Sequence, residues 1–135
     1  MKALDKTIIH FEIPANDVEK LKGFYEKLFG WKIIHAPMGG FDYWVIQTVS
    51  TDEKGMLLKP GVNGGMYKKA DKTQVPVNYV SVDNIDATLA SLAKSGGKIV
   101  GAKQSLPGVG TFAICLDPEG NPFGIIKPEP MLPPK

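Results

Sequence analysis

The sequence predicts an α+β domain made of two βαβββ modules. Their curved, mostly antiparallel sheets are expected to surround a concave cleft, with the helices on the outer face. Three observations predict this fold: an internal repeat, the order of elements within each repeat, and a composition that suits one core. The 135 residues are 43% hydrophobic and 22% charged, as in a single globular domain. We expect one domain, with module one at about residues 5–69, module two at about 73–127 and a Pro-rich tail over 128–135.

Three short sequence phrases occur twice in the chain at similar spacing. The offsets between the copies are 67, 66 and 68 residues. A period near half the chain is too long for a solenoid. It indicates two copies of one unit packed around a shared centre, where a ligand site is expected. The paired phrases are Asn16–Glu19 with Asp83–Asp86, Gly30–Ile34 with Gly96–Val100, and Gly40–Ile46 with Gly108–Ile114.

Module one has the pattern strand, helix, strand, strand, strand. Asn16 or Asp17 can cap the helix, because a short polar side chain accepts a hydrogen bond from the N–H groups of the first turn. Apolar residues then recur with a helical period up to Phe29, and Gly30 supplies a left-handed C-cap. Runs of β-branched and apolar residues predict strands at residues 7–13, 31–35, 43–49 and 65–68.

Module two repeats the pattern more regularly. Apolar residues from Ile85 to Ala93 predict a helix that ends at Gly96–Gly97. Asp117–Asn121 predicts a turn, because Pro presets its φ and Gly permits a positive φ. The strands are predicted at residues 75–82, 98–102, 109–116 and 123–127, with turns at Gly39–Gly40 in module one and at Pro107–Gly108 here.

Charge and cysteine content limit the class of partner. A net charge of +2 is too small to indicate nucleic acid or an anionic membrane as a partner. No apolar run is long enough to cross a bilayer, and the first residues lack the apolar stretch of a signal peptide. The single Cys115 permits no internal disulfide. We therefore expect a cytoplasmic protein.

Four phrases of the sequence occur in an order typical of one family: Ile9–Pro14, then Phe24–Tyr25 with Leu28–Trp31, then Val80–Asp83, then Asp117–Gly124. They resemble the vicinal oxygen chelate superfamily, which includes glyoxalase I, extradiol dioxygenases and the fosfomycin and bleomycin resistance proteins. The resemblance extends from Thr7 to Lys127 and implies the duplicated fold. It also implies a homodimer with sites in the concave sheets, but it does not name a reaction.

The metal site of this superfamily is mostly missing from the sequence. Metal-binding members hold a divalent ion with His and Glu on the first, fourth, fifth and eighth strands. His10 matches the first position, but Val77 and Gly124 occupy the fifth and eighth, and no carboxylate lies between Lys54 and Lys69. Neither Val nor Gly has a side chain that binds a metal. We predict no cofactor, and the alternative is a divalent metal held by His10 with Glu12.

Strand alternation predicts which residues face the cleft, since every second side chain lies on the same face. On the first strand, Ile9, Phe11 and Ile13 are expected under the helix. The repeat aligns Trp44 with Phe112, which assigns Ala113 to the cleft face of the seventh strand. The predicted ligand-binding residues are His10, Glu12, Tyr43, Gln47, Val77, Tyr79, Thr111, Cys115 and Gly124.

Several of these side chains have a plain structural interpretation as well. His10 is either a hydrogen-bonded residue that lines the pocket or, with Glu12, the best candidate for proton transfer. Cys115 is expected to be a buried, inert thiol rather than a nucleophile, because no basic partner is evident in the sequence. Asp117 and Glu119 are expected to form a turn rather than a pair of catalytic acids.

Three functions remain open on the sequence. We favour a metal-free, small-molecule-binding protein similar to glyoxalases and bleomycin resistance proteins, because the missing ligands leave room for an organic guest. The first alternative is an enzyme acting on a small metabolite, either a glyoxalase-like lyase or isomerase or a dioxygenase-like oxidoreductase. The second is an interaction domain with a filled cleft.

Overall fold

The computed structural model describes residues 6–37, 40, 42–106 and 109–129. Together they form eight strands and two helices, which confirms the predicted α+β class. The elements are β1 (Ile8–Ala15), α1 (Val18–Phe29), β2 (Lys32–His35), β3 (Trp44–Gln47), β4 (Gly64–Lys68), β5 (Val77–Ser81), α2 (Ile85–Lys94), β6 (Lys98–Leu106), β7 (Gly110–Leu116) and β8 (Pro122–Pro128).

The described residues divide into two compact units. Residues 10–76 make up the first unit, and residues 6–9 with 77–129 make up the second. The strand order is β2-β3-β4-β1 in the first unit and β5-β8-β7-β6 in the second. In each unit one neighbouring pair is parallel and two pairs are antiparallel. The same local topology therefore occurs twice, as the repeat predicts.

Helix α1 begins and ends at the residues that the sequence favours. The Asp17 carboxylate accepts a hydrogen bond from the Lys20 N–H at 3.1 Å, and Gly30 adopts a left-handed φ of 73°. One face of α1 packs on the sheet of the first unit. The buried residues between them are Ala15, Val18, Ile33, Ile46 and Met66, with Phe11, Ile13 and Trp44 packed against these.

Helix α2 packs on the second unit in the same manner. The Asn84 side chain caps it by accepting from the Ala87 N–H at 2.9 Å. The residues buried beneath α2 are Val82, Ile85, Ala113, Cys115 and Ile125. Another apolar cluster contains Val77, Tyr79 and Ile126, with Ile9, Val109, Phe112 and Ile114 packed against them.

The predicted alignment of β7 with β3 is wrong by one residue, so the predicted faces of β7 are exchanged. Val45 lies opposite Gly65, and Ile114 lies opposite Gly124, so the structural offset between β3 and β7 is 69 residues rather than 68. A slip of one residue exchanges the two faces of a strand. Ala113 and Cys115 therefore pack beneath α2, not on the face away from it. The prediction for Ile9 is also wrong, but without a slip of β1: Phe11 and Ile13 pack on the α1 side as expected, whereas Ile9 packs in the cluster around Tyr79 in the second unit.

Some element bounds also differ from the sequence-based ones. β6 extends to Leu106, because a register shift between Val100 and Gln104 accommodates Gly101 at a φ of 76°. The predicted turns at Gly39–Gly40 and Pro107–Gly108 lie partly or wholly outside the described residues, as does most of the tail. Within the ranges given above, neither helix is long and apolar enough to cross a membrane.

Candidate functional site

A chain of three polar side chains crosses the first unit on the face away from α1. The Tyr43 hydroxyl donates a hydrogen bond to Glu12 Oε2 at 2.8 Å. The same hydroxyl oxygen lies 2.9 Å from His10 Nε2. The structure therefore brings together three of the predicted site residues, and we call them the His10–Tyr43–Glu12 chain.

Strand geometry explains how these residues meet. His10 and Glu12 are two residues apart on β1, so their side chains share a face. Tyr43 immediately precedes β3 and reaches β1 across the intervening strand β4. Gly65 of β4 lies beneath it, and a Cβ at that position would overlap the Tyr43 hydroxyl. The lack of a side chain at Gly65 is therefore what allows the Tyr43 ring to cross.

The His10–Tyr43–Glu12 chain is only partly shielded from solvent. Tyr43 is 6% exposed, whereas the side chains of His10 and Glu12 are 31% and 20% exposed. His10 Nε2 and Glu12 Oε2 lie 3.8 Å apart, so Tyr43 bridges a pair that is too far apart for a direct hydrogen bond. A buried phenol thus holds two accessible polar groups in a fixed arrangement.

Tyr67 is a neighbour that the sequence analysis missed. It lies two residues after Gly65 and so shares its face of β4. Burial raises the pKa of the Tyr67 phenol, and the negative charges of Glu12 and Asp71 raise it further. Tyr67 therefore keeps its proton at neutral pH. The predicted strand at residues 65–68 contains Tyr67, but its two faces were not assigned, because the proline and glycines between Leu57 and Gly65 interrupt the alternation that would have assigned them.

Gln47, another predicted site residue, lies apart from the His10–Tyr43–Glu12 chain. Its amide donates a long hydrogen bond of 3.4 Å to Thr51 Oγ1. It lines a polar cleft of about 330 Å³ together with residues at the ends of β2 and β3. The other residues of this cleft are Gly30, Lys32, Thr48, Val49, Ser50 and Thr51.

The second histidine belongs to a surface pair. His35 Nε2 lies 3.0 Å from Asp42 Oδ1, with side chains 49% and 69% exposed. Its ring centroid is 4.7 Å from that of Trp44. His35 is a useful comparison for His10, because both histidines have a polar partner but His35 lies outside the His10–Tyr43–Glu12 chain.

Three of the predicted residues of the second unit, Val77, Tyr79 and Gly124, form an apolar group. Val77 and Tyr79 are buried in one cluster, and the Tyr79 ring covers Gly124 so closely that a Cβ there would overlap it. Thr111 Oγ1 lies 3.0 Å from Ser105 Oγ at an exposed position. These side chains offer few groups that could bind a polar ligand.

Cys115 is corrected from a pocket residue to a core residue. It has no exposed surface and packs beneath α2. Burial raises the pKa of its thiol, which disfavours the reactive thiolate. The predicted interpretation as an inert thiol fits this environment, and the predicted position on the cleft face does not.

The described side chains do not fit the metal ion that the resemblance implies. The Tyr79 ring fills the space that a ligand at position 124 would need, and Val77 is buried among apolar residues. Within the described ranges, no group of three or more His, Cys, Asp or Glu side chains is placed to hold an ion. His10 and Glu12 are two potential ligands, and Tyr43 binds both of them.

Comparison with known proteins decides the family. The family model described as Glyoxalase/Bleomycin resistance protein/Dioxygenase superfamily matches residues 7–125. The chain belongs to this superfamily. The match confirms the resemblance seen in the sequence.

Two curated relatives of this superfamily member carry related names. The chain is 31% identical over 129 residues to "Putative glyoxylase CFP32" of Mycobacterium tuberculosis, an alignment that covers 92% of the chain and 45% of that protein. It is 34% identical over 122 residues to a glyoxylase-like domain-containing protein of Didymella fabae, covering 84% and 88%. The chain thus spans about half the length of the mycobacterial relative.

Solved structures agree on the fold. Methylmalonyl-CoA epimerase from Mycobacterium tuberculosis matches with a TM-score of 0.66 and 14% identity, covering 96% of this chain and 94% of that chain. The Streptomyces coelicolor epimerase in complex with 2-nitronate-propionyl-CoA matches with a TM-score of 0.69 and 13% identity, covering 97% and 100%. At this identity the likeness shows the fold alone.

Proposed function

We propose that this superfamily member binds a small polar or partly polar organic molecule without a metal ion, through the His10–Tyr43–Glu12 chain. The observation that supports the proposal is the geometry of these three residues, in which the buried Tyr43 phenol orients two solvent-accessible polar groups. Binding sites combine apolar walls with a few such fixed polar groups. A filled, purely structural core would not need to leave His10 and Glu12 partly exposed.

A thermal-shift screen tests this proposal, because a ligand that binds only the folded state raises the melting temperature. The panel contains small metabolites and antibiotics, and each compound that stabilises the wild type is tested again on His10→Ala and Tyr43→Phe. At a ligand concentration of 100 Kd the stabilisation is about 2.7 kcal/mol, and it should fall strongly in both variants. His35→Ala removes the other histidine and should leave the shift intact.

Two outcomes of the screen would contradict the proposed binding site. A ligand whose shift is the same in His10→Ala and wild type would place the binding site elsewhere. The absence of any stabilising compound in a broad panel would favour the alternative of an interaction domain with a filled cleft.

A second candidate function is acid–base catalysis at a carbon beside a carbonyl group. The adjacency of a carboxylate, a phenol and an imidazole favours it, and the epimerases of similar fold act on methylmalonyl-CoA. In such a step the Glu12 carboxylate would take the proton from carbon, the C–H electron pair would form the C=C bond of an enolate, and the C=O π pair would move to oxygen. The reverse electron flow would then return a proton to carbon and restore the carbonyl group. His10 and Glu12 remain the best candidates for this role.

Deuterium incorporation distinguishes a catalyst from a binder. Acyl-CoA thioesters that carry an acidic C–H bond are incubated with the protein in D₂O, and the exchange is followed by mass spectrometry. Exchange that disappears in Glu12→Gln would support catalysis. Binding without exchange would leave the protein as a binder.

The assembly and location of the chain also remain proposals. We propose a cytoplasmic homodimer that associates with neither nucleic acid nor membrane and needs no cofactor. Light scattering at micromolar concentration should give about twice the chain mass of 14.6 kDa. A monomer at that concentration would contradict the dimer.

A further inference from the structure

We propose that Tyr43 is a positioning residue that fixes the ring proton of His10 on Nε2. The inference concerns the site of the proposed function and rests on that site being used. It adds a direction to the His10–Tyr43–Glu12 chain: the imidazole donates to the phenol, and the phenol donates to the carboxylate.

The direction follows from the number of protons available. An ionised carboxylate can only accept a hydrogen bond, and a phenol has a single proton to donate. The Tyr43 hydroxyl lies 2.8 Å from Glu12 Oε2, so its proton points to Glu12. A phenol ordinarily holds its proton about six pKa units more tightly than a carboxyl group, so the proton stays on Tyr43.

In its contact with His10 the phenol must then be the acceptor. His10 Nε2 lies 2.9 Å from the Tyr43 oxygen, and two atoms at that distance without a proton between them would repel each other. Nε2 therefore carries a proton, and in the neutral imidazole the lone pair is on Nδ1. Tyr43 thereby determines which nitrogen of His10 is basic.

The fold, rather than solvent, holds Tyr43 in this position. Its ring is buried, and Gly65 provides the space that its hydroxyl occupies. His10 is partly exposed, so water would otherwise exchange with its ring protons freely. Because the Tyr43 hydroxyl is buried and its proton points to Glu12, it fixes the tautomer of His10 and slows the exchange of the Nε2–H with water.

Nitrogen-15 NMR of the ligand-free protein at about pH 8 tests this inference, because histidine there is ordinarily neutral. The chain has two histidines, so His35→Gln identifies the signals of His10. We expect the Nε2–H form for His10. A net hydrogen bond of about 1.4 kcal/mol corresponds to a tenfold effect, so the Nε2–H should exchange with water about tenfold faster in Tyr43→Phe.

Matched variants separate positioning from general packing. Gly65→Ala keeps Tyr43 but displaces its hydroxyl, so it should also speed the exchange of Nε2–H. Tyr67→Phe removes a phenol from the same face of the sheet, and exchange should stay within about twofold of the wild type, less than the effect of one hydrogen bond.

Two results would overturn the inference. The first is a spectrum with His10 in the Nδ1–H form, which needs no substitution within the His10–Tyr43–Glu12 chain. The second is the same Nε2–H exchange rate in Tyr43→Phe and wild type. Both are measured without ligand, so they are independent of the thermal-shift screen: a failed screen with a protected Nε2–H would refute binding but not the role of Tyr43.

Discussion

Two glycines determine where two tyrosine rings can lie. Tyr43 lies over Gly65 in the first unit, and Tyr79 lies over Gly124 in the second. Each glycine is on the strand next to β1 or β5 and has a strand partner on both sides. A side chain at either position would occupy the volume of a ring that is itself buried.

Gly65→Ala and Gly124→Ala should therefore destabilise the protein. Forcing an extra carbon into packed space typically costs about 1–3 kcal/mol, and urea unfolding followed by circular dichroism would measure it. Gly23→Ala is the matched control, because an added Cβ there meets no atom within 4 Å. Since Gly23 is inside α1, alanine should stabilise by up to about 1 kcal/mol. Equal effects at the three glycines would contradict the packing described.

Cys115 should make stability depend on alkaline pH. Burial raises the pKa of its thiol in the folded state above the value of about 8.5 in an unfolded chain. The folded state then binds this proton more tightly, so the stabilisation is complete below the unfolded pKa and declines as pH rises towards the folded pKa.

Unfolding free energies at pH 7 and pH 9.5 test the sign of this effect. The wild type should lose stability over that interval, and Cys115→Ala should lose less. In the native wild type, iodoacetamide should react with the thiol at least about tenfold more slowly than after unfolding, since the thiolate is the nucleophile. Rapid alkylation of the native protein would contradict the burial of Cys115.

The sequence predicted some side-chain positions and not others, for a physical reason. Alternation along one strand is a local property, so His10 and Glu12 were correctly placed on the same face. The contact of Tyr43 with both depends on the register of three strands and on Gly65, which no local pattern encodes. The predicted orientation of Cys115 was wrong because it relied on an offset of 68 residues between β3 and β7, whereas the strand register gives 69.

At the scale of elements, the helix caps should have measurable and separable effects. The Asp17 and Asn84 side chains each accept a hydrogen bond from a first-turn N–H. Replacing either with alanine should cost about 1 kcal/mol, the usual effect of losing an N-cap, as measured by urea unfolding. The sequence left Asn16 open as a cap of α1, and the structure assigns that role to Asp17. Asn16→Ala should therefore change stability by less than about 0.5 kcal/mol.

Asn63 holds together the segment that follows β3. Its side-chain oxygen accepts from the N–H groups of Thr48 at 2.7 Å and Val49 at 3.0 Å, and its amide donates to the Val49 carbonyl at 3.0 Å. The sequence gave no sign of this role, because the side chain acts on residues 14 and 15 positions away.

Asn63→Ala should therefore destabilise by about 1–3 kcal/mol, because it leaves part-buried backbone groups without their partner. Asn63→Asp keeps the acceptor and loses the donor, so its unfolding free energy should lie between those of wild type and Asn63→Ala. An aspartate variant less stable than the alanine variant would show that the added charge dominates.

Across the whole molecule, the two copies of the repeat have diverged in chemistry while keeping their topology. Glu12 lies opposite Gly65, and Tyr79 lies opposite Gly124, so these two positions correspond. By the same register, His10 corresponds to Val77. The first unit therefore has polar groups where the second has buried apolar ones, which explains why a repeat visible in the sequence does not yield a duplicated site.

This divergence leads to a prediction about metal binding. Of the ligand set that the resemblance implies, the sequence retains His10. Glu12 adds a second potential ligand from the same strand, and two ligands from a single strand bind a divalent ion weakly. Protein purified without chelator should therefore contain less than about 0.1 equivalent of zinc, nickel, manganese or iron, because stable sites ordinarily use three or four protein ligands. Inductively coupled plasma mass spectrometry would measure it, with His10→Ala expected to give the same value. One equivalent of metal that is lost in His10→Ala but kept in His35→Ala would contradict this prediction. It would mean that His10 and Glu12 bind an ion in place of the Tyr43 hydroxyl, and that side chains outside the expected strand positions complete the site.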